Sequence, residues 1–535
     1  MSRLAAGIMA LALAAAAAAQ APTAQRFDLP FDLEEATIAS LQARMADGRE
    51  TSRSIVDKYL ARIEAVDRNG PALRSVLEIN PEARAIADRL DAERKSKGPR
   101  GVLHGVPVLI KDNIATADRM MTTAGSLALD GVRAAQDAAI VDQLRAAGAV
   151  ILGKTNLSEW ANFRSTRSSS GWSGRGGQTR NPYALDRNPS GSSSGSAAAV
   201  AANLVAAAIG TETDGSIVSP SSANALVGIK PTVGLVSRRG IIPIAHSQDT
   251  AGPMARSVAD AAALLGVLVR VDPADPAMKD PARRASADYT RALDHDGLRG
   301  ARIGVVRAFF GHHPEADELT NRAVGVMRGL GAVVVDPVKI PSLGQFDDSE
   351  LDVLLYEFKA DLNAYLSALG PAARVHSLAD LIAFNTAHRD QELRFFGQEL
   401  FELAQRKDGL DSAKYKAEVA KNRRLAGPLG IDAAMTEHKL EALIGPTGGL
   451  PWLIDLVNGD SLGGSRPSPS SIAAVAGYPH ITVPMGLFNG LPVGLSFVGR
   501  AWSEPTLVKL AYAYEQATHL RRPPTFAPTA TVVAR

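Results

Sequence analysis

Three stretches of this chain carry residues that could do chemistry. In Val106-Pro107-Val108-Leu109-Ile110-Lys111-Asp112-Asn113 a lysine closes an apolar run. Gly191-Ser192-Ser193-Ser194-Gly195 sets three hydroxyls between glycines, just ahead of an alanine-rich segment. Gly210-Thr211-Glu212-Thr213-Asp214-Gly215-Ser216-Ile217 comes next, with Gly228-Ile229-Lys230-Pro231-Thr232 soon after. The chain has no cysteine, which removes thiolate nucleophiles, disulfides and cysteine-held zinc together. Covalent catalysis must therefore come from oxygen or lysine. Taken singly, each stretch has a bland reading: a lysine after a strand is usually a solvated end, and serine-glycine runs are usually loops. Ser216 alone could cap a helix.

The elements that must position these residues read as alternating strands and helices. Residues 106–110 and 149–152 are short β-branched runs with a helix predicted over 138–147 between them, the βαβ grammar of an α/β protein. Ahead of them lies a helical region running to about Gly98. Asp32 and Glu35 read as a capping box before Ile38, Leu41 and Met45, Thr51-Ser52 opens a second helix, and Asn80-Pro81 a third. Residues 165–195, rich in Ser, Gly, Asn and Arg, run into a predicted alanine helix over 196–208 and read as an ordered loop beneath it. Further strands are predicted at 301–305, 332–335, 481–483 and 493–498, and a closing helix at 506–517. Residues of about 345–440 read as a charged helical insert, and those after Pro523 as a loose tail over 523–535. No repeat or linker divides the chain, so residues 28–522 are expected to form one domain, with 46% hydrophobic residues to fill its core.

Composition narrows the partners. With 58 Lys and Arg against 56 Asp and Glu, and no basic block, nucleic acid is not an expected partner, and a small or peptidic substrate is. Arg3 followed by the alanine-rich run over 7–19 reads as a signal peptide, residues 1–21, cleaved after Ala19 or Ala21. That run is too short and too alanine-rich for a good spanning helix, so an exported protein, periplasmic or secreted and free of the membrane after cleavage, is expected.

Taken together and in this order, the motifs resemble the amidase signature family. The resemblance extends from residues 33–45 through Thr122-Thr123-Ala124-Gly125 and Lys154-Thr155-Asn156 to Gly494. Residues 168–196, with Asn181-Pro182 and Arg187, are more narrowly similar to the peptide amidases, which remove the ammonia of C-terminal amides. The resemblance implies an α/β fold with a large mixed central sheet covered by helices on both faces. It implies a Ser-Ser-Lys triad in which Lys111 is the base, Ser192 the bridging serine on a cis peptide bond, and Ser216 the nucleophile. The backbone N–H groups of Thr213, Asp214, Gly215 and Ser216 would form the oxyanion hole. The reaction implied is hydrolysis of a carboxamide to carboxylate and ammonia through an acyl-enzyme, with no cofactor and no metal.

That assignment is chemically sensible. An amide carbonyl is a poor electrophile, so an attacking serine must lose its proton as it attacks. A free lysine has a pKa of about 10.4, and keeping it neutral near pH 7.5 costs roughly 4 kcal/mol. Burial can supply a shift of ~3–5 units. Ser190, Ser194 and Asp214 stand where the family often has glycine, and Asp214 is expected to turn its carboxylate away and offer only its N–H.

Other readings remain open. The substrates could be simple aliphatic or aromatic amides, or the chain could be an amidotransferase-like subunit, against which the signal peptide argues. Gly191 to Gly195 also fits the Gly-x-Ser-x-Gly elbow of an α/β-hydrolase-type esterase, with Ser193 as nucleophile and His480 or His519 as its histidine. His312-His313 are adjacent and no His-Glu-x-x-His occurs, so no metal site is expected. Residues 345–440 and 447–460 are expected to line the acyl pocket, and backbone groups of 164–170 to receive the leaving amide. Nothing in the sequence speaks to oligomeric state.

Overall fold

The computed structural model describes residues 29–460 and 467–531, so the predicted signal peptide lies outside the described residues. The strands, in chain order, are β1 (Val76–Ile79), β2 (Pro107–Lys111), β3 (Val150–Thr155), a small pair β4 (Trp172–Ser173) and β5 (Gly177–Gln178), β6 (Ala207–Glu212), β7 (Val227–Lys230) and β8 (Thr250–Ala255). They continue with β9 (Arg302–Val305), β10 (Val333–Val335), β11 (Ala442–Pro446), β12 (His480–Phe488) and β13 (Leu491–Val498). Eleven of them form one sheet in the order β1-β3-β2-β6-β8-β7-β12-β13-β11-β9-β10. Two parallel blocks, β3-β2-β6 and β11-β9-β10, are joined through an antiparallel centre. Every residue of β2, β3, β6, β8 and β13 is buried. Successive side chains point to opposite faces, so strands buried throughout must be covered on both.

The structure corrects several sequence expectations. The alanine helix stops early: it spans Ser194–Ala201, and Asn203 turns left-handed at φ 59° with its amide donating to Glu35 Oε1 at 2.9 Å. Ala207 and Ala208 then belong to β6, because pairing with β2 and β8 on either side outweighs alanine's helix preference. The first helix begins not at Asp32 but at Ile38, where Thr37 Oγ1 accepts the Ser40 N–H at 3.0 Å; Glu35 instead faces Arg521. The third helix spans Ala83–Lys97, with Asn80 capping the turn before it. β1 hides inside the region read as helical, four residues being too few to show an alternating pattern.

Residues 523–531 are not loose. Phe526 is buried in the main core, its N–H donates to Pro182 O at 3.1 Å, and Ala527 O accepts from Leu185 N at 2.8 Å. A proline-rich segment shows no periodicity, yet one aromatic is enough to dock it. The segment of about 345–440 is helical, with helices Asp347–Ser367, Leu378–Ala387, Glu399–Gln405, Ala413–Ala426 and Asp432–Glu437. Phe358, Leu362 and Phe401 from this insert pack against Trp160, Phe163 and Ile244 of the body.

Candidate active site

The parallel register of β2 with β6 sets Ile110 against Ile209 and brings the ends of the two strands side by side. Lys111 closes β2 wholly buried, and its Nζ donates to Ser192 Oγ at 2.7 Å, Thr211 Oγ1 at 2.9 Å and Thr211 O at 3.2 Å. All three acceptors are neutral oxygens. Burial pulls the lysine pKa down to about 7, while Glu212 and Asp249 act on it through space in the opposite sense. Near neutral pH this amine therefore exists in both protonation states.

The three adjacent serines point to three different partners. Ser192, which follows a cis Gly191–Ser192 peptide, meets the lysine. Ser193 Oγ donates to Thr211 O at 3.1 Å and accepts the Thr211 N–H at 3.2 Å, tying the helix Ser194–Ala201 to β6. Ser194 Oγ donates to Ser190 O at 2.6 Å. Ser193, the nucleophile of the elbow reading, is thus held by backbone groups and not by a histidine. His480 sits instead beside Ser496 Oγ at 2.6 Å, and burial pushes its pKa down to about 3. His519 caps the end of the helix Glu504–Thr518.

Ser216 lies in an arch between β6 and the helix Val218–Ala223. Glu212, the last residue of β6, reaches across the arch, and its Oε2 accepts the N–H groups of Ile217 at 2.6 Å and Val218 at 3.0 Å. Pinned at both ends, the backbone of 213–216 bows outward, with Gly215 at φ +77°; a Cβ there would lie 2.9 Å from Ser219 Oγ. The N–H groups of Thr213, Asp214, Gly215 and Ser216 meet no acceptor among the described residues. The Asp214 carboxylate turns to the helix Pro469–Ala476, where its Oδ2 accepts from Ser471 Oγ at 2.9 Å. Lys111 and Ser192 are fully covered, whereas Ser216 keeps 8% of its surface and Thr213 7%. The arch thus keeps slight exposure, while the lysine keeps none.

Sequence reasoning passed over the residues that hold this arrangement. Thr211 receives both Lys111 and Asn113 Nδ2, the latter at 2.9 Å, and Glu212 braces the arch; both stood inside the third motif, unmarked. Asp249 had no sequence signal, yet it accepts from Thr213 Oγ1 at 2.6 Å and from the N–H groups of Ile244 and Ala245, both at 2.9 Å. Burial raises its pKa to about 6. Beside it is a cavity of about 260 Å³, walled by Thr211, Glu212 and Thr213 on one side and Ile242, Pro243 and Ile244 on another. The cavity reaches the arch at Thr213, while Lys111, Ser192 and Ser216 are not in its wall. Of the segments expected to line a pocket, the insert contributes Asp361 to this cavity and 447–460 contributes nothing. Asp460 instead ties that second segment to the loop below, accepting the Ser170 N–H at 2.9 Å.

The buried lysine, the serines and the bowed arch lie within one fold that extends over nearly all of the chain. The amidase family matches it over residues 54–508. The chain belongs to the amidase family. This amidase is similar to the native peptide amidase of Stenotrophomonas maltophilia, at 55% identity and a TM-score of 0.88, covering 93% of this chain and all of that one. It is similar also to a peptide amidase solved with the competitive inhibitor chymostatin, at 56% identity and a TM-score of 0.89, covering 92% and 100%. A probable amidase of Arabidopsis thaliana is 43% identical over 510 residues, 94% of this chain and 93% of that protein. A glutamyl-tRNA(Gln) amidotransferase subunit from Halorhodospira halophila is 34% identical, covering 91% and 98%. The α/β fold and mixed sheet of this amide-hydrolysing enzyme are those expected of the family.

Proposed function

We propose that this amidase cleaves primary amides, R–CO–NH2, to carboxylate and ammonia through an acyl-enzyme, and that C-terminal amides of peptides are its substrates. The observation that carries the mechanism is the 2.7 Å contact between a fully buried Lys111 and Ser192. Ser216 Oγ attacks the carbonyl carbon, its proton passes to Ser192, and the Ser192 proton passes to the neutral Lys111 amine. The N–H groups of Thr213 to Ser216 hold the oxygen that becomes negative, each such donor typically supplying ~10²–10³ in rate. The relay then runs in reverse to protonate the departing ammonia, and a water repeats the cycle on the acyl-enzyme. The likeness to two solved peptide amidase structures, over 92% and 93% of this chain, supports the peptide-amide class.

Ammonia release by the purified mature protein tests this, on a panel of C-terminally amidated peptides, simple aliphatic and aromatic amides, and glutamine, beside Ser216→Ala. Release from amidated peptides, absent in the variant, is the expected result. Release from simple amides alone keeps the mechanism and changes the substrate class. Release from glutamine alone favours an amidotransferase-like role, the reading that the 34% likeness to an amidotransferase component supports. Residues 1–21 act as an export signal in this reading, and an N-terminus still at Met1 in the protein recovered from the periplasm or medium would refute it.

A further inference from the structure

The loop 244–249 touches the arch at one end and the helical insert at the other. Asp249 holds Thr213 Oγ1 at 2.6 Å, and Gln248 Nε2 donates to Thr213 O at 3.4 Å and to Glu350 Oε1 at 2.9 Å. At the far end, His246 N–H donates to Asp361 Oδ2 at 3.0 Å, and Ser247 N–H to Glu357 Oε2 at 2.9 Å. Glu357 and Asp361 stand four apart on the helix Asp347–Ser367 and so share one face. The imidazole lies between them, with Nδ1 2.8 Å from Asp361 Oδ2 and Nε2 3.3 Å from Glu357 Oε1. Tyr415, from the helix Ala413–Ala426, has its hydroxyl 3.3 Å from Nε2 but donates it to Glu357 Oε1 at 2.7 Å. Arg238, paired with Asp275, donates to His246 O.

A neutral imidazole has one N–H, and a carboxylate can only accept. Both ring nitrogens here face carboxylates, so only the doubly protonated ring satisfies both. Resting on the reading that the N–H groups of Thr213 to Ser216 hold the oxyanion, we infer that His246 is a positioning residue for the amidase reaction. Its ring is a protonated bridge to Asp361 and Glu357 that fixes loop 244–249, and through it Thr213, against the insert. The two carboxylates raise its pKa, against burial and Arg238, which lower it. A raised value means the bridge is complete at low pH and is lost as pH rises through it. His246, Glu357 and Asp361 also bring three ligand atoms within 4.8 Å of one another. An ion held at one nitrogen would leave the ring's single N–H on the other, still facing a carboxylate, so zinc content is what separates an ion from the proton bridge.

The experiment is the pH dependence of kcat and KM on a peptide amide for the full-length mature enzyme, His246→Gln, His246→Arg and Asp361→Asn. The wild type should gain activity as Lys111 gives up its proton and carry a falling limb as the bridge is lost. His246→Gln should lack the falling limb and run about tenfold below wild-type kcat at its optimum, less than the ~10²–10³ of losing an oxyanion donor outright. KM should change less than about twofold, since the effect is on the transition state. His246→Arg, a permanent cation, should recover much of kcat and keep it at alkaline pH. Asp361→Asn should remove the falling limb as well, and serves if His246→Gln does not fold. A His246→Gln profile superimposable on wild type, or a raised KM at unchanged kcat, overturns the inference. So does stoichiometric zinc held by the wild type and lost in His246→Gln. Residual activity in Ser216→Ala would instead remove the reading beneath it.

Discussion

Lys111 and Lys230 each end a strand of the same sheet, β2 and β7, and each is fully covered. Burial lowers both, to about 7 and about 8. Their partners nevertheless differ in what they can exchange with the amine. Lys230 Nζ donates to two backbone carbonyls, Tyr478 O at 2.6 Å and Pro231 O at 3.2 Å, neither of which can return a proton. Glu212, Glu504 and Asp214 stabilise its charge through space. Lys111 faces the hydroxyls of Ser192 and Thr211, which can donate to a lone pair as well as accept. Lys154, at the end of β3, is an intermediate case, with Ile114 O at 2.6 Å and Thr122 Oγ1 at 2.8 Å. Burial sets how readily a lysine gives up its proton. The groups within about 3 Å, the ordinary hydrogen-bond reach, decide whether the free amine is of any use.

The largest expected effect separates the two lysines kinetically. Lys111→Met should lower kcat by on the order of 10⁴ or more, as should Ser216→Ala, because members of a relay that act together are each indispensable. Lys230→Met, where it folds, should retain kcat within about tenfold, a bound far short of that loss of catalytic function. Single-turnover ammonia release checks all three. A folded Lys230→Met protein as inactive as Lys111→Met would break the distinction.

Glu212 is the neighbour both lysines share, and it sharpens the comparison. Glu212→Gln keeps the shape but replaces a carboxylate that accepts two N–H groups with an amide whose oxygen is a weaker acceptor. The arch should loosen, and kcat should fall about 10- to 100-fold with KM little altered, short of outright loss of a donor. A rise in KM alone would mean that the arch serves binding and not the transition state.

Stability should reverse the order of the two lysines. Lys230→Met leaves one buried carbonyl, Pro231 O, and one partly buried, Tyr478 O, without this donor; at about 1–3 kcal/mol for the buried group and less for the other, a fall of about 2–4 kcal/mol is expected. For Lys111 the folded pKa, about 7, lies below the ordinary lysine value of 10.5. Between these values the unfolded chain binds the extra proton, so this group makes stability rise with pH over that window. The cost of burying it is thus complete below about pH 7 and fades above. Lys111→Met should melt higher than wild type at pH 6, with the margin shrinking toward pH 9, the usual sign of a group retained for function. Thermal midpoints of both variants across pH give the test, and a Lys111→Met protein less stable than wild type at pH 6 contradicts it.

The same contrast explains what could be read beforehand. The three site motifs were legible because glycine, serine and lysine at fixed places mark backbone constraints as well as chemistry. The parallel strands β2 and β3 and their intervening helix were legible because two short apolar, β-branched runs flank a stretch of helical periodicity. Ala207 and Ala208 were misread because alanine carries no preference strong enough to resist strand pairing. The opening of the first helix was misread because Glu35 is spent on Arg521, nearly the whole chain away. Glu212, Asp249 and His246 were missed for one reason: each acts through a loop's backbone or a distant helix, and such partners leave no spacing in the sequence.

The smallest effect probes the charge that Lys111 feels and Lys230 does not. Asp249 is among the groups raising the Lys111 pKa and is absent from those acting on Lys230. With its own pKa at about 6, it is largely ionised where Lys111 titrates. Only the neutral amine accepts a proton, so kcat/KM should rise with pH through about 7. In Asp249→Asn the amide oxygen can still accept the N–H groups of Ile244 and Ala245, and its NH2 can donate to Thr213 Oγ1. Removing the negative charge removes support for the ammonium, so the rising limb should move to lower pH by roughly a few tenths of a unit. The plateau should drop only slightly, since the arch keeps its partners. A limb that stays in place would mean that the rise belongs to some group other than Lys111, and a limb that moves upward would reverse the sign of the interaction on which the comparison of the two lysines depends.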